Sequence, residues 1–164
     1  MKKRTVLITE AAMIAAIYTV LVWTFAPISF SGVQCRIAEA LTILPFFTPA
    51  AIPGLTIGCF IANLTGGADL LDIVFGTFAT FLGAVGSYQL RRWKYAVAIA
   101  PILSNTLIIP WIIRFAYADT TPIYFLMVTV GIGEVLSCGV LGISLLFVLQ
   151  KYKYGIFPSG KNKI

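Results

Sequence analysis

Six apolar stretches make up most of this 164-residue chain, and they constrain its fold more than any motif does. They run over roughly Thr5–Phe25, Ile37–Pro49, Ala51–Leu64, Leu71–Leu90, Tyr95–Phe115 and Ile123–Leu149. A bilayer's hydrocarbon layer is about 30 Å thick and takes about 20 mostly apolar residues to cross as a helix. Four stretches reach that length. The second and third are shorter and are separated by the Pro49/Pro53 turn, which suits either two compact spans or one re-entrant hairpin. Only 11% of the residues are charged, against roughly a quarter in a soluble domain. The fold class expected is an all-α integral membrane protein, one membrane domain over residues 1–164, with no room for a soluble catalytic domain.

Charge supplies the topology. Ten of the twelve basic residues fall in three short clusters: Lys2, Lys3 and Arg4; Arg91, Arg92 and Lys94; and Lys151, Lys153, Lys161 and Lys163 in a basic tail over 151–164. Such clusters beside apolar segments mark cytoplasmic loops. A nucleic-acid partner would call for a basic stripe spread along one face instead. Six transmembrane helices with both termini cytoplasmic place all three clusters inside, in a multi-pass protein of the cell (cytoplasmic) membrane. Four full spans with a hairpin would satisfy them too. The first stretch is too long for a signal-peptide core and no small-residue cleavage site follows it, so it is counted as a span. The outside connections are then Ala26–Arg36, containing Pro27, Ser29, Ser31 and Gly32, together with Thr65–Leu70 and Ala116–Pro122.

The absent chemistry narrows the function. There is no His anywhere, which removes His-based nucleophiles, proton relays and metal sites. Cys35, Cys59 and Cys138 are scattered, with neither zinc nor disulfide spacing, and read as small apolar packing residues. No P-loop, G-x-S-x-G or H-E-x-x-H occurs. The chain is read as no enzyme, with no metal and no cofactor of its own. Energy for uphill transport would come from an ion gradient or from partner subunits.

Charged side chains inside a bilayer are expensive, by roughly 2.5–3.5 kcal/mol or more at its centre. Glu39 falls early in the second stretch and Glu134 well inside the sixth. Asp72 opens the fourth, Arg114 closes the fifth, and Arg36 precedes the second. With Asn63, Asp69 and Asn105 they could line one polar cavity open to the exterior. Simpler accounts exist for several. Arg36 and Glu39 are three apart and could pair on a helix face, Asp72 could favour a helix N-terminus, and Asp69 and Asp119 suit solvated loops. Glu134 has no basic residue at helical spacing, so the structural account is weakest there. Acids outnumber cations on this side, which favours a neutral or cationic solute rich in hydrogen-bond donors, for instance a purine-like base. Trp23, Phe30, Trp111, Tyr117 and Tyr124 could stack on its ring or form an interfacial aromatic belt.

On the inner half, Ala11/Ala15 and Ala12/Ala16 are two overlapping pairs of small residues at a spacing of four. Such pairs let another helix approach closely, either within the bundle or from another subunit. Gly54/Gly58 and Gly76/Gly83 mark close packing in the same way.

Three stretches in order carry a resemblance: Gly32-Val-Gln-Cys-Arg-Ile-Ala-Glu-Ala-Leu41, Gly54-Leu-Thr-Ile-Gly-Cys-Phe-Ile-Ala-Asn63 and Leu71-Asp-Ile-Val-Phe-Gly-Thr-Phe-Ala-Thr80. The chain resembles the QueT family over nearly its whole length. Members are substrate-binding (S) components of energy-coupling factor transporters associated with queuosine precursors. The resemblance implies a six-helix bundle that docks on a coupling transmembrane subunit through Ala11, Ala12, Ala15 and Ala16. Two ATPase subunits would supply ATP hydrolysis, and the S component would topple to carry its pocket inward. The ligand implied is a 7-deazaguanine: the aminomethyl or cyano precursor, queuine or queuosine. The guanine-like edge would then face Glu39 or Glu134, and a cationic arm Asp72 or the other glutamate. Asn63 and Asn105 would bond the ring edge, Trp111 would stack, and Arg36 completes the candidate set. The competing readings are an S component for another vitamin or base, a self-contained ion-coupled carrier, and a membrane-embedded enzyme.

Overall fold

The structure, a computed structural model, describes residues 3–26 and 36–157. The expected connection from Ala26 to Arg36 lies almost wholly outside the described residues, as do Lys2, Phe30, Cys35, Lys161 and Lys163.

Among the described residues every regular element is a helix. α1 spans Lys3–Thr24. α2 spans Ile37–Phe46 and is wound as a 3₁₀-helix, and α3 spans Ala51–Thr65. α4 covers residues 72–89, a π-wound turn at Asp72–Gly76 running into the α-helix Thr77–Gln89. α5 spans Ala96–Ala116, with its first turn 3₁₀. α6 covers residues 123–156. It is α-helical over Ile123–Glu134, π-wound over Val135–Gly142, and α-helical again over Ile143–Ile156. These six follow the six apolar stretches in order. Three are long and apolar enough to cross a membrane: Lys3–Thr24, Ala96–Ala116 and Ile123–Tyr152. The second and third, Ile37–Phe46 and Ala51–Thr65, are apolar but shorter. α6 continues through Lys151 to Ile156, so the start of the expected tail is helix.

The winding of α2 reflects one residue and the packing around it. Runs of 3₁₀-helix beyond three or four residues are uncommon, because their hydrogen bonds are poorly aligned. Here Pro45 lies inside the helix and removes one backbone donor, while tertiary packing encloses the segment. Every residue from Ala38 to Pro45 is buried. α2 touches α1, α3, α4 and α6 and so lies at the middle of the bundle. A pitch of three residues per turn puts positions i and i+3 in register, so Arg36, Glu39 and Thr42 form one polar file.

The helices around α2 turn large apolar side chains outward and keep their charged and amide side chains inside, within an otherwise apolar core. Met13, Val20, Phe60, Phe78, Leu107, Phe125, Val128 and Val148 are exposed, while Arg36, Glu39, Asn63, Asp72, Asn105 and Glu134 are buried. Keeping charge away from the outer surface suits a hydrocarbon solvent. α1 packs most extensively on α3, and its closeness rests on glycine. A Cβ on Gly54 would meet the Ala11 carbonyl oxygen at 2.8 Å, and one on Gly58 the Ala15 carbonyl oxygen at 2.9 Å. Gly83 likewise gives way to Pro101 of α5, at 2.8 Å from a Cβ built there.

Candidate functional site

The polar residues converge from all six helices. Glu39, at the start of α2, is fully buried. Its Oε1 accepts a hydrogen bond from the Tyr18 hydroxyl of α1, and the Thr80 hydroxyl of α4 lies 3.4 Å away. Glu39 Oε2 is buried with no hydrogen-bond partner. Facing it, Glu134 of α6 accepts from the Asn105 side-chain amide at 2.9 Å and from the Cys138 thiol at 3.2 Å. The Cys138 sulfur is also 3.3 Å from the main-chain oxygen of Glu39 and 3.4 Å from Thr42 Oγ1. Cys59 of α3 receives the Thr80 hydroxyl at 3.3 Å and the Asn63 amide at 3.7 Å. Carboxylates in so apolar a bundle hold their place only through such donors.

A second group caps this centre. Arg36 pairs with Asp72 at 3.4 Å, so its ion pair runs across to α4, whereas the sequence spacing points to Glu39. The Tyr117 hydroxyl donates to Asp72 Oδ2 at 3.2 Å, and the Asn63 amide donates to the main-chain oxygen of Asp72 at 3.2 Å. Asp72 Oδ1 is buried without a partner. A Cβ on Gly76 would meet this Oδ1 at 2.6 Å, so the glycine leaves space for the carboxylate. Burial, with the nearby Asp72 charge adding to it, raises the Tyr117 phenol above its ordinary value. Both π turns adjoin these groups: Asp72 opens one, and Glu134 immediately precedes the other. π turns recur at functional sites, where they re-aim side chains within a helix.

The structure therefore brings together Arg36, Glu39, Asn63, Asp72, Asn105 and Glu134 as one buried network. Trp111 does not join them. It is 47% exposed and stacks on Phe115, with ring centroids 6.3 Å apart. Arg114 is exposed and donates to the Thr121 carbonyl at 2.9 Å, so it too stands apart. Asp69 accepts from the Leu71 N–H at 2.9 Å and caps the start of the fourth stretch. Asp119 is half-buried, and hydrogen bonds from the Thr121 side chain and backbone lower its carboxyl below the ordinary value. The alanine pairs divide. Ala15 is buried and Ala11 half-buried toward α3, while Ala12 and Ala16 are exposed on the outer side of α1.

Sequence reasoning passes over Tyr18, Thr42, Cys59, Thr80 and Cys138. Two carry a signal: Thr42 follows Glu39 by three residues in a segment of pitch three, and Cys138 follows Glu134 by one turn. From sequence, Cys59 and Cys138 read as apolar packing residues. They are buried and free, but they hydrogen-bond within the network.

A helical bundle with an apolar exterior and a buried polar centre has the build of a small membrane protein. The chain belongs to the QueT transporter family, whose model matches residues 8–151. Membership places it among transporters rather than enzymes. Comparison with curated proteins and with solved structures gave no match.

Proposed function

We propose that this chain is the substrate-binding subunit of an energy-coupling factor importer in the cell membrane, taking up queuosine precursors or related 7-deazaguanine salvage compounds. The observation that supports this most is the buried arrangement of Glu39, Asn105 and Glu134, with one carboxylate oxygen of Glu39 unpartnered. A deazaguanine presents adjacent ring N–H and amino donors, which suit an acceptor carboxylate in pairs. Glu39 or Glu134 takes that edge, and the other glutamate or Asp72 takes a cationic arm. Asn63 and Asn105 bond the ring. The subunit holds no ATP site and no cofactor of its own. A coupling transmembrane subunit with two ATPases supplies the energy and docks against α1, where Ala12 and Ala16 lie exposed. Both termini face the cytoplasm, so the three basic clusters lie on one side.

The test is binding by the purified protein, without partners, to a panel of deazaguanine bases, queuosine, guanine and riboflavin. Tight binding of a deazaguanine that is lost in Glu134→Gln or Glu39→Gln supports function and site together. Binding that survives both substitutions keeps the function and removes these residue roles. A folded preparation that binds no deazaguanine removes the ligand class and leaves an ion-coupled carrier to be tested.

A further inference from the structure

The centre of the bundle carries a donor set in which Cys138, a residue that the solute reading leaves unused, stands beside the two buried glutamates. Glu39, Glu134 and Cys138 each offer one ligand atom, and these three atoms lie within 4.8 Å of one another. All three residues are at most 3% exposed. Two acids and a thiol alone would not make a site, but one further observation points to a ligand. Glu39 Oε2 is buried without any hydrogen-bond partner. The Cys138 sulfur lies 3.2 Å from Glu134 Oε2 and 3.3 Å from the main-chain oxygen of Glu39, between the two acidic residues.

The geometry points to a site for one thiophilic divalent cation, zinc or cadmium, held by the carboxylates of Glu39 and Glu134 and the thiolate of Cys138. The sulfur decides the class of metal. Magnesium and calcium take six or more oxygen donors, whereas a thiolate selects softer ions. Zinc–oxygen bonds of about 2.0–2.2 Å and zinc–sulfur bonds of about 2.3 Å put neighbouring donors of a tetrahedral site roughly 3.3–3.7 Å apart. The three donors must then close by about an ångström, which side-chain rotation supplies. Three protein donors leave a fourth position, open to water or to the Thr42 hydroxyl, which already lies 3.4 Å from the sulfur. On binding, the Cys138 S–H bond breaks, a sulfur–metal bond forms and the proton leaves to solvent. The oxidation state of neither partner changes.

The ion occupies the same carboxylates that would receive the solute, so it acts as an inhibitor and not as a resident cofactor. That consequence rests on the proposed function, whereas the metal site itself does not.

The experiment titrates cadmium into the full chain in lipid nanodiscs, on a Cys35→Ser/Cys59→Ser background so that Cys138 is the remaining thiol. Ultraviolet absorption of the thiolate–cadmium bond and metal content by mass spectrometry are the readouts. We expect one cadmium per chain, no thiolate–cadmium band in Cys138→Ser or Cys138→Ala, and affinity reduced about tenfold or more in Glu134→Gln. Circular dichroism and gel filtration confirm that each variant is folded. A folded background protein that binds no cadmium, or a band that persists without Cys138, overturns the site. Cadmium that binds through Cys138 yet fails to displace a bound deazaguanine sustains the metal site and removes these carboxylates from the solute reading. A folded protein that binds a deazaguanine but no cadmium overturns the metal site and leaves the solute reading standing.

Discussion

The Asn105 side-chain amide donates to Glu134 Oε1 at 2.9 Å, and both residues are only 3% exposed. This bond ties α5 to α6 inside the bundle, where no water competes for either group. A buried carboxylate deprived of its donor keeps the desolvation penalty and loses the compensation. Asn105→Leu is therefore expected to destabilise the protein by about 1–3 kcal/mol, read as a lowered Tm in detergent. Asn105→Asp should lower it further, because it sets a second acid against Glu134 and supplies no donor. A Tm equal to the parent in both variants would remove the bond from any structural role.

The contact between α1 and α3 gives a steric prediction. A methyl group on Gly58 would meet the Ala15 carbonyl oxygen and Tyr18 Cβ, both at 2.9 Å. Overpacking of this kind costs typically about 1–3 kcal/mol. Gly58→Ala should destabilise by that amount and disturb the Tyr18 bond to Glu39. At Gly139 the nearest atoms to such a methyl are 3.7 and 3.9 Å away, so Gly139→Ala should be neutral. Equal thermal shifts in the two variants would refute the steric account.

The Arg36–Asp72 pair is buried, with side-chain exposures of 9% and 5%. Removing one member of such a pair strands the other charge, at a cost of about 3–5 kcal/mol, whereas replacing both with apolar groups is often near neutral. Arg36→Met should therefore be less stable than the double variant Arg36→Met/Asp72→Leu. Urea unfolding of the two singles and the double, closed as a cycle, measures this. A double variant no better than the worse single would show that Arg36 and Asp72 act independently.

The two alanine pairs of α1 predict opposite outcomes. Ala12 and Ala16 face outward, whereas Ala15 is buried against α3. Ala12→Trp and Ala16→Trp should leave solute affinity within about twofold, as exposed substitutions usually do, while abolishing co-purification with the coupling subunit. Ala15→Trp should fail earlier, by unfolding the bundle. Full retention of the coupling subunit by both outward variants would move docking to another face.

The helical architecture is legible in the sequence because hydrocarbon sets a length that few residues can disguise. The six apolar stretches correspond to six helices, with ends shifted by a few residues. The burial cost of Glu39, Asp72 and Glu134 likewise marks residues that the structure gathers together. Periodicity misleads in α2, where a short apolar stretch reads equally well as a compact span and the 3₁₀ pitch emerges only with packing. Trp111 is a candidate by its side of the membrane alone, and position along a helix does not fix which face a ring takes. The cysteines are the largest omission. A thiol has no motif of its own, and Cys138 becomes polar in character only because the π-wound turn of α6 places it beside Glu134 and Glu39.

The pitch of α2 governs which changes of length that segment tolerates. With three residues per turn, inserting or deleting one residue between Arg36 and Thr42 swings everything beyond it by about a third of a revolution. Thr42 would then turn away from Cys138, or Glu39 from Tyr18, even though no side chain had changed. Composition there is free to drift among small apolar residues, while spacing is not. α6 behaves differently, because its π-wound section already carries more residues per turn than the helix on either side. Length variation within this bundle should therefore collect in the wide turns of α6 and in the connecting loops, and α2 should act as the ruler against which the other helices are set.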